Sequence, residues 1–190
     1  MTETKPSPWQ ESVSFIEKKT RIEHGPGMCA IDFLAQSAKK LSGQRQPITG
    51  EIVKKRSELL DNPPENHNEE EWMKKTLKDL SDNPVYNHMV ENVVFHYFNP
   101  DDIAERLMPE LIELMDRGYV VGLHHIDSME ERHLARVKRA FRDERGQGFV
   151  YLQGADKTKV KLTEQELVAS VSKYLKGERG RVLTSFPFLK

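Results

Sequence analysis

The chain has 190 residues, 37% hydrophobic and 31% charged, with 29 Lys and Arg against 30 Asp and Glu. That length suits one domain, able to bury roughly 70% of its unfolded surface without a disulfide or metal staple. The balanced charge, with no large basic block, gives no electrostatic footprint for nucleic acid, and the single cysteine, Cys29, excludes both an internal disulfide framework and a thiolate zinc cluster.

Met1 to Gln10 is polar, contains two prolines and lacks the apolar segment of a secretory signal. No apolar run approaches the ~20 residues that span a bilayer. The chain is therefore expected to be made and folded in the cytoplasm. A secretion machine that reads a polar N-terminus would leave the same signature. Residues 1–8 are expected to be disordered and 9–190 to form one domain.

A first helix is predicted over Pro8–Glu23, with Trp9, Val13 and Ile16 on one side. His24-Gly25-Pro26-Gly27 stops it, because glycines around a proline cannot continue a helix. Cys29 then opens a second helix, where Ala30, Phe33, Leu34, Ala38 and Leu41 form an apolar stripe and Gly43 ends it. Further helices are predicted at 48–61, 69–82 and 84–98. The one at 69 starts with Glu69, Glu70 and Glu71, favourable against the positive end of the helix dipole. Asn99-Pro100-Asp101-Asp102 reads as a cap with proline at the first helical position. Pro109 is expected to break or kink the helix that follows, and Gly118 to close it.

The character changes at Tyr119. Tyr119–Ile126 is β-rich and reads as a strand, as do Phe149–Leu152, Lys159–Leu162 and Arg181–Phe188. Arg145–Gly148 is a turn. Thr163 and Glu166 make a capping box for a helix to about Leu175. The strands at 119–126 and 149–153 are expected to be neighbours in one sheet, with the helix at 29–41 packed on it. Ser128–Arg142 has two readings. As a strand, His133, Ala135, Val137 and Phe141 share a face, with Arg139 intruding. As a helix, Leu134, Val137 and Phe141 form a stripe behind a Ser128/Glu131 capping box, and local propensity favours this second reading.

Chemistry starts at Cys29. A thiol at a helix N-terminus has its pKa lowered by the dipole, and first-turn N–H groups supply half of an oxyanion hole. The bland reading is a small buried residue ahead of Ala30 and Ile31. His124-His125 with Asp127 suggests a metal site, but adjacent strand residues point to opposite faces and do not both reach one ion. His88 and His96 would share a helix face that Met89, Val93, Tyr97 and Phe98 make mainly core. Gly25-Pro26-Gly27 lacks the lysine and spacing of a phosphate loop. No metal or cofactor is therefore expected.

Gly27-Met28-Cys29 opening a helix, a helical middle, and then strands carrying histidine are together similar to the papain-like cysteine peptidase superfamily, above all its compact bacterial effector enzymes and bacteriocin-processing peptidases. Leu114–Val121 resembles the family's helix that ends in glycine and feeds a strand. His133-Leu134-Ala135-Arg136-Val137 resembles its histidine strand, and Phe149–Asp156 the strand bearing its third catalytic residue. The resemblance implies Cys29 as nucleophile and His133 as base, with His125 as base instead if 128–142 is helical. It implies Gln153 or Asp156 as the group orienting the imidazole. Gln153 stands at the family's position for that group; an amide oxygen orients the ring but does not stabilise imidazolium as a carboxylate does. The family's side-chain oxyanion donor would fall near Glu23 and His24, of which only His24 donates. The fold implied is α+β and papain-like, a helical N-terminal two-thirds packed on a small, mostly antiparallel sheet. The function implied is a cysteine hydrolase or acyltransferase on an amide or acyl bond, with a protein as substrate or partner. The rival expectation, a non-catalytic helical binding module of the adaptor or immunity type, puts Cys29 fully buried and far from every histidine.

Overall fold

The computed structural model describes residues 28–43, 69–127, 130–154 and 159–188. The expected disorder at 1–8, the helices at 8–23 and 48–61 and the break at 24–27 lie outside the described residues. Helix α1 (Met28–Ser42) places Cys29 in its first turn. The stripe of Ala30, Phe33, Leu34, Ala38 and Leu41 is buried along its whole length, and Gly43, at φ +65°, ends the helix in the left-handed region. Helix α2 (Glu69–Asp79) inserts Met73 and Leu77 into the same core. Helix α3 (Pro84–Asn92) begins with Asn83 accepting a hydrogen bond from the Val85 N–H and with Pro84 at the first helical position.

Helix α3 stops at Asn92, not near residue 98 as the sequence suggested. Val94–Phe98 is strand β1, paired antiparallel with the last strand. The run Val-Phe-His-Tyr-Phe consists largely of residues that fit a pleated, half-buried surface, and a sheet edge was there to receive it. The N-terminal two-thirds is therefore not purely helical. A capping box at Asn99 and Asp102 leads through a short 3-10 turn (Pro100–Asp102) into α4 (Ile103–Asp116). Helix α4 continues through Pro109. An interior proline costs about 3 kcal/mol, offset here by the burial of Ile103, Leu107, Met108, Leu111 and Leu114.

The remaining elements are β2 (Val120–Ile126), β3 (Arg132–Arg142), β4 (Gly148–Gln153), β5 (Lys159–Thr163), α5 (Glu164–Leu175, with the Thr163/Glu166 capping box) and β6 (Gly180–Phe186). The fold is α+β. Its open six-stranded sheet has the order β1-β6-β2-β3-β4-β5, and each described pairing is antiparallel. Strands β2 and β4 share the sheet, but β3 lies between them, so they are not neighbours. Residues 132–142 are a strand despite their helical propensity. A bulge between Val137 and Arg139 shifts the register, which moves burial from Val137 to Ala140 and turns Phe141 off the expected face.

Adjacent strand residues feed two apolar clusters. Val120 and Leu134 join α1, α2 and α3, while Val121 and Ala135 join α4 and α5. Helices therefore cover both faces of the sheet. Helix α1 approaches closely because residue 122 is glycine. A Cβ there would sit 2.6 Å from Cζ of Phe33 and 2.9 Å from Cδ1 of Leu134. Gly122→Ala is expected to cost about 1–3 kcal/mol, as overpacking generally does. Urea denaturation measures the loss, and an unchanged midpoint would contradict the tight α1–β2 seat.

Candidate active site

The sulfur of Cys29 lies 3.4 Å from Nδ1 of His133, 104 residues later in the chain. The cysteine is half-buried in the first turn of α1. The histidine is the second residue of β3. On the far side of the ring, Nε2 lies 2.9 Å from Oδ2 of Asp127, close although not collinear with the ring N–H. Thiol and carboxylate thus meet opposite nitrogens of one imidazole. This is the arrangement in which a base takes a thiol proton while an acid fixes the ring and stabilises the imidazolium.

Asp127 is held by its own loop. The Glu131 N–H donates to Oδ1 at 2.9 Å, the Asp127 N–H donates to the Glu131 carbonyl, and the Glu130 N–H to the Asp127 carbonyl. Glu130 takes the left-handed conformation this tight connection demands, with φ 64°. The end of β2 is tied to α5, where the Ile126 N–H donates to Ser170 Oγ and the Ser170 hydroxyl donates back to the Ile126 carbonyl. The Asp127 carboxylate is therefore placed by backbone bonds, with Oδ2 facing the histidine. Glu131 also approaches Nε2, but at 3.8 Å and half exposed.

Of the residues expected from sequence, the structure brings Cys29 and His133 together, with His125 beside them and Gln153 further along the sheet. His125 lies opposite His133 in the β2–β3 ladder, with ring centroids 6.1 Å apart. Its Nδ1 faces the Ile126 carbonyl. Burial holds its basicity below the usual histidine range. His124 stacks on Tyr174; burial, then the positive charge of Arg181, keeps it well below that range. Gln153 does not orient the ring. Its Oε1 accepts from Nη2 of Arg136 at 3.1 Å, because β4 meets β3 at Arg136, three residues or about 10 Å along the strand from His133. Asp156 lies outside the described residues, as does His24.

Asp127, weighed from sequence only as part of a metal site with His124 and His125, was missed as the carboxylate beside His133. Its link to His133 becomes legible only when 132–142 is a strand, because the hairpin then folds one back on the other. The atoms of Asp127, Glu131 and His133 that could ligate a cation come within 4.8 Å of one another. An ion there would take Nε2 from Asp127 and leave Cys29 on the opposite nitrogen.

A second constellation has the same bond order. His96 Nδ1 lies 2.6 Å from Glu110 Oε1, and its Nε2 lies 2.8 Å from Ser185 Oγ, beside an open cleft of about 370 Å³ lined by Arg106, Pro109 and Arg117. Ser185 is completely buried in β6, with Val94 and Val121 as its ladder partners. No carbonyl carbon can reach its hydroxyl, so the set serves to tie β1, β6 and α4 together. His88, expected to share a helix face with His96, instead faces the Pro187 carbonyl from α3.

No family model, curated protein or solved structure matches the chain, so the chemistry rests on this geometry.

Proposed function

We propose that the chain is a cysteine-dependent hydrolase or acyltransferase acting on an amide or other acyl bond, with a protein as substrate. One observation carries this reading: the sulfur of Cys29 and the carboxylate of Asp127 meet opposite nitrogens of His133. His133 takes the thiol proton, and the thiolate adds to the carbonyl carbon, whose oxygen takes up the electron pair facing the first-turn N–H groups of α1. The intermediate collapses to a thioester as the imidazolium gives its proton to the leaving amine or alcohol. Water, or an acceptor nucleophile, then attacks with His133 as base and restores the thiol. Hydrolysis, deamidation and acyl transfer differ only in the leaving group and the second nucleophile. The binding-module reading asks for a fully buried Cys29 remote from every histidine, and a half-buried thiol at 3.4 Å favours the enzyme.

Because Cys29 is the sole cysteine, alkylation reports on it alone. The rate of iodoacetamide labelling of the folded chain is expected to be nearly flat between about pH 6 and 8. An unactivated thiol, with a pKa of about 8.5, would instead react about tenfold faster per pH unit over that range. Labelling that appears only after denaturation would replace the enzyme with the binding module.

A further inference from the structure

Arg136 stands on β3 three residues beyond His133, half-buried beneath α1. Its guanidinium donates to two neutral acceptors, the Gln36 carbonyl at 3.3 Å and Gln153 Oε1 at 3.1 Å. Burial alone lowers its basicity, with no carboxylate contributing. Buried charges are ordinarily paired, and a guanidinium fork matches a carboxylate. Around it stand further cations. Lys159 pairs with Gln153 in the β4–β5 ladder, and Lys138 follows Arg136 by two residues on β3. Both are exposed, as is Lys40 on α1, whose Nζ lies 5.5 Å from the Phe188 ring centroid. Partial desolvation, then the charges of Arg136, Lys40 and Lys159, lower the basicity of Lys138. Helix α1, β3 and β5 thus converge like charges at one place, while the acids of β2–β3 gather at the histidine. In a chain whose total charge is near zero, this crowding is local.

We propose that Arg136, rimmed by Lys40, Lys138 and Lys159, is the docking site for an acidic segment of the protein substrate, whose carboxylate pairs with the guanidinium. The inference rests on the enzyme reading for the word substrate; the binding itself does not. Arg136 lies about 10 Å along β3 from the catalytic histidine, and Gln36 lies about 10 Å along α1 from Cys29. An extended peptide covers that distance in about three residues. The acidic residue therefore sits about three positions from the carbonyl under attack, and a protein lacking one there is a poorer substrate.

The test separates docking from chemistry by using the full chain with Cys29→Ala, which binds without turnover. Fluorescence anisotropy is read for a labelled glutamate-rich decapeptide, the same peptide with glutamine throughout, and a single-stranded deoxythymidine decamer. The glutamate peptide is expected to bind at least tenfold more tightly than the glutamine peptide, and more tightly than the oligonucleotide. Arg136→Gln is expected to remove most of that preference, as is the pair Lys40→Gln with Lys138→Gln. The lysine pair is exposed and leaves the fold intact even if Arg136→Gln does not. Lys161→Gln, on β5 but not among the charges that act on Lys138, should change nothing. Equal binding of the two peptides, a preference that survives the lysine pair, or tighter binding of the oligonucleotide would overturn the proposal. Failure here leaves thiol reactivity untouched, and selective binding by a chain whose thiol proves inert would retain the docking surface while the enzyme reading falls.

Discussion

Replacing His133 by alanine is expected to lower turnover of any amide or ester substrate by at least 10³-fold, while alkylation of Cys29 at pH 6 falls only about tenfold. The two numbers differ because the proposed mechanism gives the ring two jobs. As the thiolate's counter-ion it sets the fraction of sulfur ionised. A thiol with the ordinary pKa of about 8.5 is only about 0.3% thiolate at pH 6, so losing the partner removes more than a hundredfold in reactive species. A less stabilised thiolate is intrinsically the stronger nucleophile, with a Brønsted slope of about 0.4–0.5, and that returns roughly a factor of ten. As general acid in that mechanism, His133 would also protonate the leaving group, a role worth about 10²–10⁴-fold that alkylation does not use. The gap in alkylation rate should close near about pH 7.5, where an ordinary thiol is roughly one-tenth ionised, and reverse above about pH 9, where both forms are ionised and the less stabilised thiolate is the faster nucleophile. Rates measured by mass spectrometry on the intact chain decide the matter, since Cys29 is the one site of modification. Equal rates at pH 6 for His133→Ala and the parent chain would mean that the 3.4 Å contact holds no charge.

Much of the fold could be read from sequence where one signal acted alone. The stripe after Cys29, the capping box at Thr163 and Glu166, and the β-rich runs at 119–126 and 149–152 each became the element expected, to within a residue at the strand ends. The failures fall where local and tertiary preferences oppose each other. Val94–Phe98 follows a helix and carries residues a helix tolerates, and pairing with β6 decided its state. Pro109 obeyed the packing of α4 over its own backbone preference. The candidate site divides the same way. Cys29 and His133 carry signals of type and order, a thiol behind a glycine turn and a histidine opening an alternating segment. Asp127 drew notice only as part of a metal site with His124 and His125, because its place beside His133 depends on a hairpin whose second strand the local sequence disfavours. Gln153 stood in the expected place along the chain, but the antiparallel register delivers it to Arg136 instead.

Asp127→Asn is expected to reduce turnover by about 10²–10³-fold, although it removes only a charge and changes one atom. The carboxylate faces two groups at once, with Oδ1 accepting from the Glu131 N–H at 2.9 Å and Oδ2 lying 2.9 Å from the His133 ring nitrogen. An asparagine amide has one accepting oxygen and one donating NH₂, so one of those partners loses its acceptor. The loop bond is backbone to side chain in a connection already held by two further backbone bonds, so the oxygen stays with Glu131 and the NH₂ turns to the ring. Nε2 must then accept, which leaves the ring proton on Nδ1, facing the sulfur. A histidine already protonated on that side cannot take the thiol proton, and the imidazolium, which would set two donors face to face, is disfavoured. The alkylation profile of Asp127→Asn should consequently revert toward that of an ordinary thiol, rising with pH up to about 8.5. Glu131→Gln, whose carboxylate stands at 3.8 Å and half exposed, is expected to stay within about threefold, in keeping with the small worth of exposed ion pairs. The unfolding midpoint of Asp127→Asn separates a lost tautomer from a lost loop: turnover should fall while the midpoint barely moves. If turnover and pH profile both survive the substitution, Asp127 does not orient the ring, and Asp156 becomes the residue to replace next.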